Sequence, residues 1–195
     1  RSSKPVETNS LTSGVTFVEN HVSASSLSLQ GTHNEQRQNS FGTSAFPSGR
    51  GAQSDEANVS AEMFRILNGR KTVTVAEHGA VEGDRSDISA ALQSAVNAAA
   101  ASGGVVIINA GNYALKTTVN VPSNVTIYGQ KASLYPLDGV GTMLRIADAS
   151  NVKLAGLTFN NSRGVSLDQF ILTDNAKNVL LWRVSELNAQ KVGNA

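Results

Sequence analysis

The sequence predicts a β-solenoid, a stack of coils in which short strands of successive coils pair in register. The first observation is a repeat in SNVTIYG, SNVKLAG and KNVLLWR, whose Asn-Val pairs fall at 124/125, 151/152 and 178/179. The second is another column with the same step, TMLRI at 142–146 and QFILT at 169–173. Such a period, about 27 residues with several short strands per repeat, is typical of solenoids. The segments are too short and too rich in β-branched residues for helices.

Strand parity predicts which side chains face the core of the solenoid. Successive side chains along a strand point to opposite faces, so residues two apart share a face. The predicted inward columns are Val125, Val152 and Val179, and Ile127, Leu154 and Leu181. The same parity places one column outside, made of Tyr128, Ala155 and Trp182.

A short helix precedes the strands and is predicted to cap the stack. Asp87 stands where an N-cap belongs, and Ser102-Gly103-Gly104 ends the helix, predicted over 87–101. Its apolar stripe consists of Ile88, Ala91, Leu92, Ala95, Val96 and Ala99. The first coil of a solenoid exposes an apolar end and unpaired strand edges, which a terminal cap covers. The coils themselves are predicted over 104–195.

The residues before the cap differ in composition. Residues 1–57 are rich in Ser, Asn, Gln, Gly and Thr, and only 14–18 (GVTFV) is predicted as a short strand. Such a segment forms either a disordered arm or an arm that becomes ordered against a partner or sister subunits. Residues 58–70 are predicted as a short neck helix with Val59, Met63, Ile66 and Leu67 on one face. A helix this short needs a packing partner, either the following domain or its copies in an oligomer.

The stretch from residue 72 resembles the N-terminal start of right-handed parallel β-helix proteins of the pectate-lyase-like superfamily. The residues that carry the resemblance are, in order, VTVAEHGA, EGDRSD, ISAALQSAVNAAAA, SGG, VVIIN and AGNY. The chain departs from the family pattern at Arg85, Glu82 and Asn109-Ala110, which concern turn details. The resemblance covers 72–195 and implies the fold, whereas fold alone does not define the chemistry. Relatives include polysaccharide lyases, hydrolases, epimerases and bacteriophage tailspikes.

Candidate site residues lie on the outer surface of the predicted coils. Tyr128 and Trp182 suit either stacking on sugar rings or burial in a subunit interface. Arg183 and Glu186 are the charged neighbours, and a salt bridge between them is the simplest interpretation of a carboxylate in the column of Phe159. The three histidines have no partner at ligand spacing, so no metal site is predicted.

The visible coils contain no obvious catalytic pair. Glycoside hydrolases need two carboxylates, and lyases need a base with calcium or a cation to neutralise a uronate. The resemblance implies that these groups lie on middle coils, so catalytic residues are expected outside the visible chain. Whether the protein is an enzyme stays open, and calcium is expected only if it is a lyase.

Three candidate functions follow. The favoured one is a tailspike-like virion protein, a homotrimer that binds host polysaccharide and could also depolymerise it, with residues 1–57 attaching to other tail proteins. The alternative is a secreted polysaccharide lyase, hydrolase or epimerase, and a third is a non-catalytic structural β-helix protein. A net charge of +1 and the lack of a long apolar run predict neither nucleic-acid nor membrane partners. The absence of cysteine excludes disulfides, Cys-ligated zinc and thiol catalysis.

Overall fold

Parallel strands of successive coils pair in register, as the repeat predicts. The computed structural model describes residues 4–8, 12–18, 21–22, 35–37, 40–41, 61, 64–65 and 67–187. The first strands are β1 (Lys4–Thr8), β2 (Ser13–Val18), β3 (His21–Val22), β4 (Glu35–Arg37), β5 (Ser40–Phe41), β6 (Thr72–Thr74), β7 (Gly83–Asp87) and β8 (Val105–Ile108). The others are β9 (Gly111–Leu115), β10 (Val119–Asn120), β11 (Thr126–Pro136), β12 (Thr142–Ala147), β13 (Ser150–Asn160), β14 (Gln169–Asp174), β15 (Lys177–Trp182) and β16 (Ser185–Leu187). This arrangement confirms the parallel β-helix.

The strands form three faces that run along the stack. The first face has the order β6-β8-β11-β13-β15-β2-β4, and the third has the order β10-β12-β14-β1. The second face contains β7, β9, the second halves of β11 and β13, and then β16, β3 and β5. The long strands β11 and β13 therefore turn a corner and contribute to two faces each.

The inward columns predicted from parity form the core. Leu154 is the Cα partner of Ile127 on one side and of Leu181 on the other, and Val152 pairs with Val179. Val125, Val152, Ile127 and Leu154 are all fully buried. The constant step of the repeat thus returns each apolar side chain to the same place one coil later, which produces one continuous core.

Asparagine marks the corner where the third face passes to the first. Asn124, Asn151 and Asn178 all have positive φ, between 54° and 64°. Their side chains form a ladder, in which Asn151 Nδ2 donates to Asn124 Oδ1 (3.0 Å) and Asn178 Nδ2 donates to Asn151 Oδ1 (3.3 Å). Asn tolerates the left-handed conformation better than most residues, which explains its recurrence at this turn.

The cap helix spans Ser89–Ala100, two residues later at its start and one earlier at its end than the predicted 87–101. Leu92, Ala95, Val96 and Ala99 are fully buried against the first coil, as the apolar stripe predicts. Asp87 Oδ1 accepts from Ser89 N (2.9 Å), Ser89 Oγ (2.5 Å) and Lys116 N (3.1 Å). Asp87 therefore joins the start of the helix to the coil beneath it.

Substitution of Asp87 should weaken this junction in a pH-dependent way. Burial raises the pKa of Asp87, but hydrogen bonds from Ser89 and Lys116 N–H outweigh burial and hold that pKa below its ordinary value of 3.8. The pKa is lower in the folded state, so the stabilisation is complete above 3.8 and is lost as the pH falls through the lower folded value.

The N-cap of the helix is Ile88 and not Asp87 as predicted, so the effect of Asp87 comes from its hydrogen bonds. We expect Asp87→Ala to lower the free energy of unfolding by about 1 kcal/mol at neutral pH, because Ser89 N and Lys116 N lose their acceptor. Denaturant unfolding should show the difference from the wild type shrinking as the pH falls below the ordinary carboxyl range. Asp87→Asn, which keeps an acceptor but cannot titrate, is the control. A difference between Asp87→Ala and the wild type that is the same at acidic and neutral pH would contradict the assignment.

Residues 1–57 contain more strand than the sequence analysis predicts. The predicted strand at 14–18 is present as β2, but β1, β3, β4 and β5 accompany it. β1 pairs with β14, β2 with β15, and β3 with β16, all in parallel. The described strands of this segment continue the stack of coils instead of leading away from it, because their backbone groups pair with β14, β15 and β16.

The short helix before β6 contacts the outside of the first face. The described residues 61, 64, 65 and 67–69 are helical, within the predicted 58–70. Leu67 packs against an outer apolar cluster formed by Val105, Ala155 and Trp182, whereas Phe64 is 70% exposed. The packing partner that so short a helix needs is therefore supplied, at Leu67, by its own β-helix. Within the described part of the chain, no helix has the length and apolar character needed to cross a membrane.

Candidate functional site

A groove of about 660 Å³ lies at the corner between the first and second faces. Coils differ in width at this corner. From Tyr128 to Ala132 the chain advances four residues, while the paired positions Ala155 and Leu157 are only two apart. The two extra residues of β11 form one wall of the groove. Its lining consists of Tyr128, Gly129, Gln130, Lys131, Ser133, Gly156, Thr158, Trp182, Arg183 and Leu187.

The aromatic column predicted on the outside is present and borders the groove. Tyr128 pairs with Ala155, and Ala155 pairs with Trp182. Trp182, however, is only 7% exposed, because it packs in the outer apolar cluster together with Ala155 and Val105. Trp182 therefore lies on the outward side of its strand but is covered by neighbours from its own chain, whereas Tyr128 is half-buried. The indole Nε1 of Trp182 is buried and has no acceptor within the part of the chain that the structure describes.

Two cationic side chains line the groove, each at the bend of its own coil between the first and second faces. Lys131 and Arg183 are both exposed and have positive φ, 61° and 51°. Gly156, with φ 64°, occupies the bend of the coil between them. The Arg183 Cζ atom lies 4.9 Å from the centroid of the Trp182 ring, in range for a cation–π interaction. This contact holds the guanidinium at the wall of the groove.

Two glycines allow the coils to approach closely at the floor. A Cβ on Gly156 would lie 2.5 Å from the carbonyl oxygen of Gly129, and a Cβ on Gly129 would lie 2.7 Å from Leu157 Cδ2. Neither position has room for a side chain. The floor between Lys131 and Arg183 is therefore bare backbone, which leaves the space above it open.

The remaining predicted site residue lies elsewhere. Glu186 is 3% exposed and pairs with Phe159, whose side chain is in the core, so its carboxylate faces the interior and does not line the groove. The column position predicted for Glu186 is confirmed, whereas its salt bridge with Arg183 stays a prediction. Of the four predicted site residues, Tyr128, Trp182 and Arg183 therefore line the groove, and Glu186 does not.

Sequence reasoning missed Lys131, Gly156 and the polar side chains of the groove. The sequence feature that could have indicated them is a change in the spacing of the repeat. On the second face Leu134 pairs with Phe159, and the two are fewer residues apart than the first-face partners Ile127 and Leu154. A local change of step between two coils indicates a difference in width at their shared corner. Lys131 is the residue that this difference places beside Gly156.

The groove offers stacking surfaces, cations and neutral hydrogen-bonding groups. Its described lining contains neither Asp nor Glu, so it has no general acid or base of the carboxylate type. Across the described ranges, no three His, Asp or Glu side chains come together in a way that could hold a metal ion. The chemistry that this arrangement supports is binding of a ligand with apolar faces, hydroxyl groups and negative charge.

Comparison with protein families supports the pectate-lyase-like β-helix superfamily that the sequence predicts. Residues 72–161 match the family "Rhamnogalacturonase A/epimerase, pectate lyase-like". Rhamnogalacturonase A of Aspergillus aculeatus is 35% identical over 96 residues, which are 45% of this chain and 20% of the fungal protein. The chain therefore spans about a fifth of the curated relative that it matches.

A solved structure shares the fold of this chain, and a second is similar over part of it. PfbA, a surface adhesin of Streptococcus pneumoniae, has a TM-score of 0.50 at 20% identity, over 60% of this chain and 33% of the adhesin. ORF18 of Geobacillus virus E2 has a TM-score of 0.47 at 17% identity, over 74% of this chain and 29% of the viral protein. The adhesin shows the shared β-helix and nothing about activity.

Proposed function

We propose that this chain is a polysaccharide-binding part of a pectate-lyase-like protein and that its corner groove holds an acidic sugar chain. The observation that carries the proposal is the grouping of Tyr128 and Trp182 with Lys131 and Arg183 around a floor of bare backbone. Rhamnogalacturonase A, to which the chain is similar, bears the name of a polysaccharide-degrading enzyme.

Aromatic side chains suit sugars because a pyranose ring presents an apolar C–H face. Tyr128 and Trp182 lie two strands apart on the first face, roughly 10 Å at the ordinary strand spacing. A chain of sugars running along the stack would stack on Tyr128 and contact Trp182 only at its small exposed edge, beside Arg183.

The charge of the groove favours uronates over neutral sugars. Lys131 and Arg183 are exposed cations on a lining whose described residues include no acid. Arg183 is positioned by Trp182, so less side-chain freedom is lost when its guanidinium binds a carboxylate. Gln130, Ser133 and Thr158 add neutral donors and acceptors for hydroxyl groups.

The whole protein is proposed to bind and to degrade an extracellular polysaccharide. The favoured setting is a virion tail, where a tailspike-like homotrimer attaches to the host surface. A secreted lyase, hydrolase or epimerase is the second setting. Catalytic carboxylates, and calcium if the reaction is a lyase reaction, belong in this proposal to other coils of the protein.

Attachment to other tail proteins through residues 1–57 has to accommodate the strands found there. β1, β2 and β3 already pair with the last coil. Attachment would therefore use the part of the segment outside these strands, or the face of the stack that β4 and β5 form.

The groove is tested by removing its charge while keeping polar side chains that can form hydrogen bonds. The double variant Lys131→Gln with Arg183→Gln should bind polygalacturonate roughly tenfold or more weakly than the wild type, since each charged hydrogen bond contributes about 1.5 to 3 kcal/mol. Binding is measured by isothermal titration calorimetry, with dextran as the neutral polymer. The control is Arg163→Gln with Lys177→Gln, the same charge change at exposed positions that do not line the groove.

The results separate the location of the site from the class of ligand. Equal losses in both double variants would indicate a general effect of net charge and would reject the groove. Equal affinity of the wild type for dextran and polygalacturonate would reject the preference for acidic chains. No binding of any polymer by the wild type would reject the proposal altogether.

The setting is tested by the mass of the native protein in solution, measured by light scattering. A trimer supports the tailspike setting, and a monomer favours the secreted enzyme. The short helix before β6 does not require a trimer, because Leu67 packs on the β-helix of its own chain.

A further inference from the structure

The outward surface of the second face carries polar side chains beside the groove. Leu134 and Phe159 are Cα partners on this face and both lie in the core, so the residues on either side of them point outward. In β11 and β13 these outward residues are Ser133, Tyr135, Thr158 and Asn160. Two of them, Ser133 and Thr158, line the groove. The groove therefore opens onto the second face.

Tyr135 is an aromatic side chain on this outward surface. It lies two residues beyond Ser133 on β11, roughly 7 Å further from the corner at the ordinary rise of a strand. Its side chain is half-buried. The second half of β11 pairs with β9 on one side and with β13 on the other, so hydrogen-bonded ladders fix the backbone at Tyr135 from both sides.

Hydrogen bonds on both sides also hold the phenol group of Tyr135. Its hydroxyl donates to Asn112 Oδ1 on β9 (3.4 Å) and accepts from Asn160 Nδ2 on β13 (3.1 Å). Asn160 is fixed in turn, because its Oδ1 accepts from Ser162 N (2.9 Å). The ring is therefore oriented before a ligand arrives, and little side-chain entropy is lost when a ligand packs on it.

The surroundings of Tyr135 suit a sugar ring. Its neighbours on the outward surface include Asn112, Ser133 and Asn160, which are neutral and polar. An aromatic ring whose hydroxyl is already hydrogen-bonded presents an apolar surface among amide and hydroxyl groups. This combination matches a pyranose, which has an apolar C–H face and hydroxyl groups around its edge.

We propose that Tyr135 is a second stacking position, at which a further sugar of the polymer held in the groove packs on the phenol ring. The proposal rests on the function proposed for the groove. The carboxylates of the polymer lie at Lys131 and Arg183, and from there the chain continues over Ser133 onto the second face. The groove then selects acidic polymers, whereas Tyr135 adds affinity for chains long enough to reach it.

The test compares short and long linear fragments of polygalacturonate by isothermal titration calorimetry. Tyr135→Leu keeps an apolar side chain and removes the flat ring, so it should bind hexagalacturonate roughly fivefold or more weakly than the wild type. Trigalacturonate, which the groove can hold without Tyr135, should bind to both proteins with affinities within about twofold of each other.

Two further variants separate stacking from other effects of the substitution. Tyr135→Phe keeps the ring and removes only the hydroxyl that Asn112 and Asn160 hold, so it should keep most of the affinity for hexagalacturonate. Phe64→Ala is the matched control, because it removes a ring that is 70% exposed and does not line the groove. It should bind hexagalacturonate as the wild type does.

Ionic strength provides a readout that a purely structural role of Tyr135 would not move. The loss caused by Tyr135→Leu should be the same at low and high salt, because stacking involves no net charge. The loss caused by the double variant Lys131→Gln with Arg183→Gln should shrink as the salt concentration rises, because salt screens exposed charges.

The outcomes separate the stacking position from the groove. Wild-type affinity of Tyr135→Leu for hexagalacturonate would overturn the stacking position. Equal losses for the short and the long fragment would also overturn it, because the variant would then disturb the groove itself. A loss in Tyr135→Phe as large as in Tyr135→Leu would assign the effect to the hydroxyl and reject stacking. Failure of the wild type to bind either fragment would reject the function proposed for the groove, and the stacking position with it.

Discussion

Gly156→Ala is expected to lower the free energy of unfolding by roughly 3 kcal/mol or more, measured by denaturant unfolding. Two causes add at this residue. Its φ of 64° lies in the left-handed region, where a side chain costs about 1 to 2 kcal/mol. The new Cβ would also lie 2.5 Å from the Gly129 carbonyl oxygen, a backbone atom held in place by neighbouring coils, so one coil must shift.

Gly164→Ala separates these two causes. Gly164 has the same φ, 64°, but no atom lies within 4 Å of where its Cβ would be. It should therefore lose only the backbone contribution, about 1 to 2 kcal/mol. Equal losses in the two variants would show that the close approach at Gly156 contributes nothing. Because Gly156 forms the floor of the groove, Gly156→Ala should also weaken binding of polygalacturonate, while Gly164→Ala should not.

The core could be predicted from the sequence because its geometry leaves little freedom. In a strand, side chains alternate faces, and a constant step between coils brings each inward position back to itself. Leu154 therefore has both of its predicted partners, Ile127 and Leu181, and Val152 pairs with Val179 as predicted. The cap helix was predictable for a similar reason, since the stripe that includes Leu92 and Val96 needs an apolar end to cover.

The groove and the strands within residues 1–57 were not predictable by the same reasoning. The groove depends on a shorter step confined to one face, which places Lys131 beside Gly156. The burial of Trp182 depends on the outer cluster, to which Leu67 brings a contact from far along the chain. Pairing of β1 with β14 joins residues that share no local pattern, and the polar composition of residues 1–57 predicts an arm. Pairing at the edge of a strand uses backbone N–H and C=O groups, which every sequence has. The side-chain composition of residues 1–57 therefore could not predict this pairing.

Leu154→Ala is expected to lower the free energy of unfolding by about 3 kcal/mol, within the usual range of about 2 to 5 kcal/mol for a buried leucine. Leu154 is fully buried between Ile127 and Leu181, in coils whose backbones are fixed by ladders on both sides. The walls of the resulting cavity cannot close without breaking the hydrogen bonds of those ladders. Neighbouring side chains therefore cannot replace most of the apolar contacts that Leu154 makes. The measurement is denaturant unfolding of the purified variant.

Leu180→Ala provides the comparison, because the same atoms are removed from the outward side of the next strand. Leu180 is half-buried and packs at the margin of the outer apolar cluster. Water can take the place of its side chain, so we expect a loss of about 1 kcal/mol or less. If both variants lost the same stability, the outer cluster would contribute as much as the core. The distinction between an inward and an outward column, on which the location of the groove depends, would then lose its energetic basis.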